Sequence, residues 1–203
     1  MLTYKDIIKE EDNRLREKSV DVNIPLLDED IELINKLNEY LENGYDDEFA
    51  EANNIRPGVG LASVQIGILK RIFVIYAYDE DDNLHHYAVV NPKIISESTE
   101  HTFLPGGEGC LSVDRDVEGL VHRPKRITAK FHLFDFETKT LTAVKKKLEN
   151  YIAIVFQHEY DHLNGILFYD RFNSNDPFYI PENSNPIIFD INEDNENVNE
   201  DIE

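Results

Sequence analysis

The sequence predicts an α+β fold: antiparallel or mixed β-sheets packed around a central C-terminal metal-binding helix, with an amphipathic helix near the N-terminus. Three observations predict it. Apolar residues recur at helical spacing from Ile31 to Leu41. Two stretches, Arg71 to Val90 and Ile127 to Val144, are dense in β-branched and aromatic residues and are each broken by a polar turn. A third, Tyr151 to Phe156, is apolar throughout and runs into two histidines four apart, His158 and His162. At 203 residues with 41% hydrophobic content the chain can bury a full core. One domain over residues 1–188 is expected, followed by an Asn/Asp/Glu-rich tail over 189–203 that reads as flexible on composition.

Residues 1–27 read as a covering arm, anchored by Ile7, Ile8 and Leu15 and broken at Asn23-Ile24-Pro25. Asp28 is placed to cap a helix opening at Glu29-Asp30, with Ile31, Leu33, Ile34, Leu37, Tyr40 and Leu41 on its apolar face and a stop at Asn43-Gly44. Tyr45 to Arg56 is expected to be loop. Arg71–Tyr78 and Leu84–Val90 form a hairpin about Asp79–Asn83, with Ile94-Ile95 in a further strand. Ile127–Asp135 and Thr140–Val144 form a second hairpin, and Lys145-Lys146-Lys147 reads as its solvated end. The last helix continues through Gln157-His158-Glu159-Tyr160-Asp161-His162 and stops at Asn164-Gly165.

Composition excludes several function classes. A formal charge of -21 argues against direct nucleic-acid binding, which needs clustered cations to release counterions. No apolar run is long enough to span a bilayer and no signal-peptide core is present, so a cytoplasmic location is expected. The single cysteine, Cys110, can make no internal disulfide; it is a buried small hydrophobe, a reactive thiol or a metal ligand.

The chemistry concentrates in the last helix. Residues i and i+4 share a helix face, so His158 and His162 can reach one metal ion with Glu159 beside them as a base. An exposed pair would need no metal, but imidazoles on a half-buried stripe must satisfy their nitrogens, and a metal does so. A third protein ligand does not follow at the spacing zinc proteases use. Cys110, in Gly106-Gly107-Glu108-Gly109-Cys110-Leu111-Ser112, is the best remaining donor, and Gly109 lets its backbone approach another element closely.

Three segments together, Gly58-Val59-Gly60-Leu61-Ala62-Ser63-Val64-Gln65, Glu108-Gly109-Cys110-Leu111-Ser112 and Gln157-His158-Glu159-Tyr160-Asp161-His162, resemble the three signature motifs of peptide deformylases, in the same order. The resemblance runs from the N-terminal helix to about Phe172. Val113-Asp114-Arg115-Asp116-Val117 is similar to the longer insert of the Gram-positive and mollicute subclass. Ser63 departs from the usual alanine, and the acidic tail lies outside the resemblance.

The resemblance implies a hydrolase that removes the formyl group from the N-terminal formyl-methionine of new polypeptides. It implies one divalent metal on Cys110, His158 and His162, usually Fe(II) in the family, with Zn(II), Ni(II) or Co(II) also suited to the donors. Glu159 is then general base and acid, and the Gln65 amide with the Leu111 N–H stabilises the oxyanion. The formyl-methionyl peptide would pair along Gly60, its side chain in a pocket of Val59, Ile154 and Val155; the alternative for these three is plain core packing, which periodicity alone favours for Val155. Glu108 and Arg123 are a candidate ion pair behind the Cys110 loop. Transient ribosome contact through the lysine run is conceivable, and His85, His86, His101, His122 and His132 receive no role. Two rivals remain at this stage: another metal-dependent amidase or protease, and a structural metal site closed by His122 or His132.

Overall fold

The computed structural model describes residues 1–189, so the tail beyond Phe189 lies outside the described residues. In chain order the elements are α1 (Asp28–Asn43), α2 (Asp47–Ala52), β1 (Gly60–Ala62), β2 (Ile72–Tyr78), β3 (Leu84–Glu97), β4 (His101–Phe103), β5 (Arg123–Pro124), β6 (Arg126–Phe134), β7 (Leu141–Glu149), α3 (Asn150–His162) and β8 (Ser184–Pro186). This is the α+β class expected. The larger sheet is antiparallel throughout, in the order β1-β2-β3-β6-β7; the smaller runs β5-β4-β8 with β8 parallel to β4.

Alternation along β2 explains how one sheet serves two helices. Ile72 and Val74 join the cluster under α1, with Leu33, Ile34, Leu37 and Leu41. Phe73 and Ile75 point the other way and pack with Ile152, Val155 and Phe156 of α3. Phe73 meets Phe156 edge to face at 5.0 Å. Burying each such side chain contributes roughly 1.5–3 kcal/mol, so α3 is held along its length by apolar contact.

Four expectations are corrected. The α1 cap is one residue earlier: Leu27 is the N-cap, its N–H donating to Asp30 Oδ2 at 3.0 Å, and Asp28 is already helical. Residues 45–56 are not all loop, because Asp46 accepts from the Phe49 N–H at 2.9 Å and starts α2. Asn91-Pro92 does not end its strand; β3 absorbs it with register shifts at Val90/Lys93 and Ile94/Ser96, Asn91 taking φ 51°. The lysine run lies within β7, which pairs with β6 as far as Glu149.

The N-terminal arm threads behind the loops that carry Gln65 and Leu111. The Ile8 N–H donates to Gln65 O at 2.8 Å and the Glu10 N–H to Ser112 O at 2.9 Å. Lys9 Nζ donates to Leu111 O at 3.0 Å. Past α3, Gly165 takes φ +74°, and a Cβ there would strike the Arg16 backbone.

Candidate active site

Helix α3 delivers His158 and His162 to one spot, and the 109–112 loop brings Cys110 to meet them. The three donor atoms lie within 4.8 Å of one another, with Cys110 Sγ 3.3 Å from His162 Nε2. Cys110 and His162 are buried and His158 nearly so. Among the described residues this is the sole grouping of metal-capable side chains. A thiolate with two imidazoles suits Fe(II), Zn(II), Co(II) or Ni(II), so the residues fit the divalent ion that the resemblance implies. The structural-site rival loses its fourth ligand. His122 is engaged by Ser184 Oγ at 2.6 Å and Tyr179 O at 2.9 Å, and His132 lies on the outer face of the sheet.

A buried ion network holds His158, one of the candidate ligands, from behind. Glu108 accepts from Arg123 Nε at 2.6 Å and Nη2 at 2.9 Å, and its Oε2 lies 2.8 Å from His158 Nδ1. Arg123 Nη1 donates to Asp161 Oδ2 at 2.9 Å, and Asp161 also accepts from Arg171. Burial alone would raise the Glu108 carboxyl, but Arg123 and His158 outweigh it and hold it at about 2. Burial likewise opposes charge on His158, yet Cys110 and Glu108 raise its proton affinity well above the ordinary value. The same negative surroundings attract a metal cation. His162 is driven well below its ordinary value by burial first and His158 second.

Glu159 sits on the cavity floor, 3% exposed, and its Oε2 has no partner. Burial pushes its carboxyl up to about 7 against the pull of His158 and Arg123. The approach of Gly60 is why a glycine stands there: an added Cβ would lie 2.8 Å from Glu159 Cδ. Gln65 Oε1 accepts the Ala62 N–H at 2.9 Å, which turns Nε2 towards Cys110 Sγ at 3.6 Å and Ser112 Oγ at 3.3 Å. The Leu111 N–H donates to no group among the described residues. Ser63 is accommodated, its hydroxyl donating to Lys70 O at 2.5 Å.

A cavity of about 260 Å³ joins these parts, lined by Val59, Gly60, Gln65, Cys110, Leu111, Ile154, Val155, His158 and Glu159. His162 does not line it. Arg56, Leu104 and Tyr151 also line it without having been singled out from sequence. Tyr151 stands four before Val155 and seven before His158, so helical stride alone could have found it. Leu104 carries no such signal. Asp161 and Arg171 were also missed, although an acid inside a mostly apolar helix must be paired.

A family model described as polypeptide deformylase matches residues 4–178. A peptide deformylase of Oceanobacillus iheyensis is 49% identical over 187 residues, 92% of this chain and 100% of the relative. Peptide deformylase 2 of Bacillus cereus is 46% identical over 92% of this chain and 99% of its own. The crystal structure of peptide deformylase from Thermotoga maritima is similar at 32% identity and a TM-score of 0.62, covering 85% of this chain and 99% of that one. No helix among the described residues is long and apolar enough to cross a membrane.

Proposed function

The chain belongs to the peptide deformylase family, enzymes that remove the formyl group from new polypeptides, and from that premise we propose how its own residues do so. The substrate is the N-terminal formyl-methionine of nascent chains in the cytoplasm, and residues 1–188 are the catalytic unit. A divalent ion on Cys110, His158 and His162, Fe(II) by family habit, would supply Lewis-acid polarisation and an acidified water. Glu159 takes the proton of the attacking water on the unpaired Oε2 and passes it to the departing amine. Water adds to the formyl carbon, the C–N bond breaks, and formate and a free amino group leave.

Two donors face the developing oxyanion. Gln65 Nε2 is held in orientation by the Ala62 N–H on its other end, and the Leu111 N–H is unspent. Strand β1 is an edge of the larger sheet, so an extended peptide can add along Gly60 by main-chain pairing. The methionine side chain then fills the apolar wall of Val59, Ile154 and Val155. Glu108 and Arg123 orient His158 and hold its Nδ1 proton.

The single observation carrying this reading is the unpaired, buried Glu159 carboxylate on the floor of the same cavity as the Cys110–His158–His162 donors. The test is formate release from a formyl-Met tripeptide by anaerobically purified, Fe(II)-loaded protein beside its Glu159→Gln variant. The variant is expected to keep its metal and lose about 10²–10⁴-fold in turnover. Near-normal turnover in the variant would remove Glu159 as the base, and cleavage of internal peptide bonds by the parent would favour the protease rival.

A further inference from the structure

We propose, on the deformylase reading above, that Phe189 is a positioning residue for the methionine pocket, holding the Tyr151 ring against the far end of the substrate side chain. Tyr151 and Leu104 line the catalytic cavity but belong to none of the three motifs. Both are tied to one segment, residues 184–189: Tyr151 through its ring, and Leu104 through the strand it follows.

That segment is anchored along its length. Strand β8 runs parallel to β4, with Ser184 opposite His101, Asn185 opposite Thr102 and Pro186 opposite Phe103. The Thr102 hydroxyl donates to Asn185 O at 2.8 Å, and the Ile187 N–H donates to Phe103 O at 2.9 Å. Ser184 Oγ meets His122 Nδ1 at 2.6 Å. Ile187 is buried, so Phe189 stands only two residues, about 7 Å of chain, beyond a fixed point. Its ring centre lies 5.1 Å from that of Tyr151 with the planes at 80°, an edge-to-face pair. Phe189 does not line the cavity itself, so its influence there passes through Tyr151.

Tyr151 needs a support of this kind. It is the second residue of α3, and the N-cap, Glu149, makes no side-chain hydrogen bond to the first turn. The first N–H groups of a helix have no partner within it, and helix ends fray. The Asn150 N–H donates to Lys125 O at 2.9 Å, which fixes the backbone and leaves the Tyr151 ring to be held by packing. An edge-to-face contact favours one ring arrangement by about 2–12-fold. Tyr151 stands seven residues before His158, about 10 Å along the helix axis. It therefore meets the end of a long apolar side chain and not a methyl group. Phe189 thus sets how well methionine is told from a short side chain, without contact with the reacting atoms.

The test is steady-state deformylation of formyl-Met-Ala-Ser and formyl-Ala-Ala-Ser by the Fe(II)-loaded full chain, parent beside Phe189→Ala and Phe189→Tyr. For Phe189→Ala, kcat/KM on the formyl-Met peptide is expected to fall about 3–10-fold through KM, with kcat within about twofold, while kcat/KM on the formyl-Ala peptide holds. Phe189→Tyr keeps the ring and should restore the parent ratio of the two peptides. An unchanged ratio in Phe189→Ala would overturn the proposal, as would a Tyr variant no better than the Ala variant. An equal fall on both peptides, or a fall carried by kcat alone, would also overturn it, because it marks a general loss of structure or of chemistry. No formate from the parent on either peptide would instead sink the deformylase reading, and this inference with it.

Discussion

Replacing Glu108 by Gln tests whether the network behind the site is structural, catalytic or both. The carboxylate is buried and receives three contacts, two from Arg123 and one with His158. Gln keeps the shape but not the charge, leaving the buried guanidinium with Asp161 alone, an acid it already shares with Arg171. Breaking a buried pair from one side costs about 3–5 kcal/mol, and the surviving amide oxygen puts the expected value near 3. For a chain of this size that lowers Tm by about 6–12 °C, read on EDTA-treated protein so that metal binding does not contribute. The folded-state carboxyl is held at about 2, below its ordinary 4.5, so its stabilisation is full above pH about 4.5 and is lost as pH falls towards 2. Urea titrations should therefore show the gap between parent and variant intact at neutral pH and closing below pH about 4. Loss of the His158 orienter should also weaken metal affinity by about 10–100-fold. A Tm within 2 °C of the parent together with unchanged metal affinity would refute the reasoning, as would a stability gap that persists undiminished at pH 3.

Three other perturbations separate the parts. Arg171→Gln touches the same Asp161 from a half-exposed position and should cost less than about 1 kcal/mol by thermal melting; a loss equal to that of Glu108→Gln would mean the outer arginine is structurally equivalent. Gly60→Ala sets a methyl group against Glu159 and should lower kcat about 10²-fold in a steady-state deformylation assay while metal content stays at one per chain. Cys110→Ala should abolish stoichiometric metal by elemental analysis and activity with it, and one retained metal would remove the cysteine from the ligand set.

What the sequence revealed and concealed follows from distance along the chain. His158, Glu159 and His162 were legible because helix geometry fixes neighbours four apart; Cys110 stood out only as the best remaining donor, and the three-motif resemblance tied it to them. Gln65 could be named but not oriented, since its direction depends on the Ala62 N–H. Glu108–Arg123 was visible as a pairing of charges, yet its burial and its extension to Asp161, 38 residues away in sequence, arise from packing. Secondary structure failed where one local rule met another: Asn91-Pro92 reads as a stop, but a bulge in a long central strand tolerates it. The short helix α2 hid in an acidic stretch whose capping residue, Asp46, was the one available signal.

The arm behind the loops of Gln65 and Leu111 ties the site to the start of the chain. Its Lys9 contact closes a loop of more than one hundred residues onto Leu111, and Ile8 and Glu10 join Gln65 and Ser112 in the same closure. Such non-local pairings cost chain entropy before they contribute. The first residues of the chain thus help to hold the loops that carry Gln65 and Leu111, the two proposed oxyanion donors. Amide exchange at Ile8 and Glu10, neither of which lines the cavity, consequently reports whether the loops carrying Gln65 and Leu111 are set for chemistry.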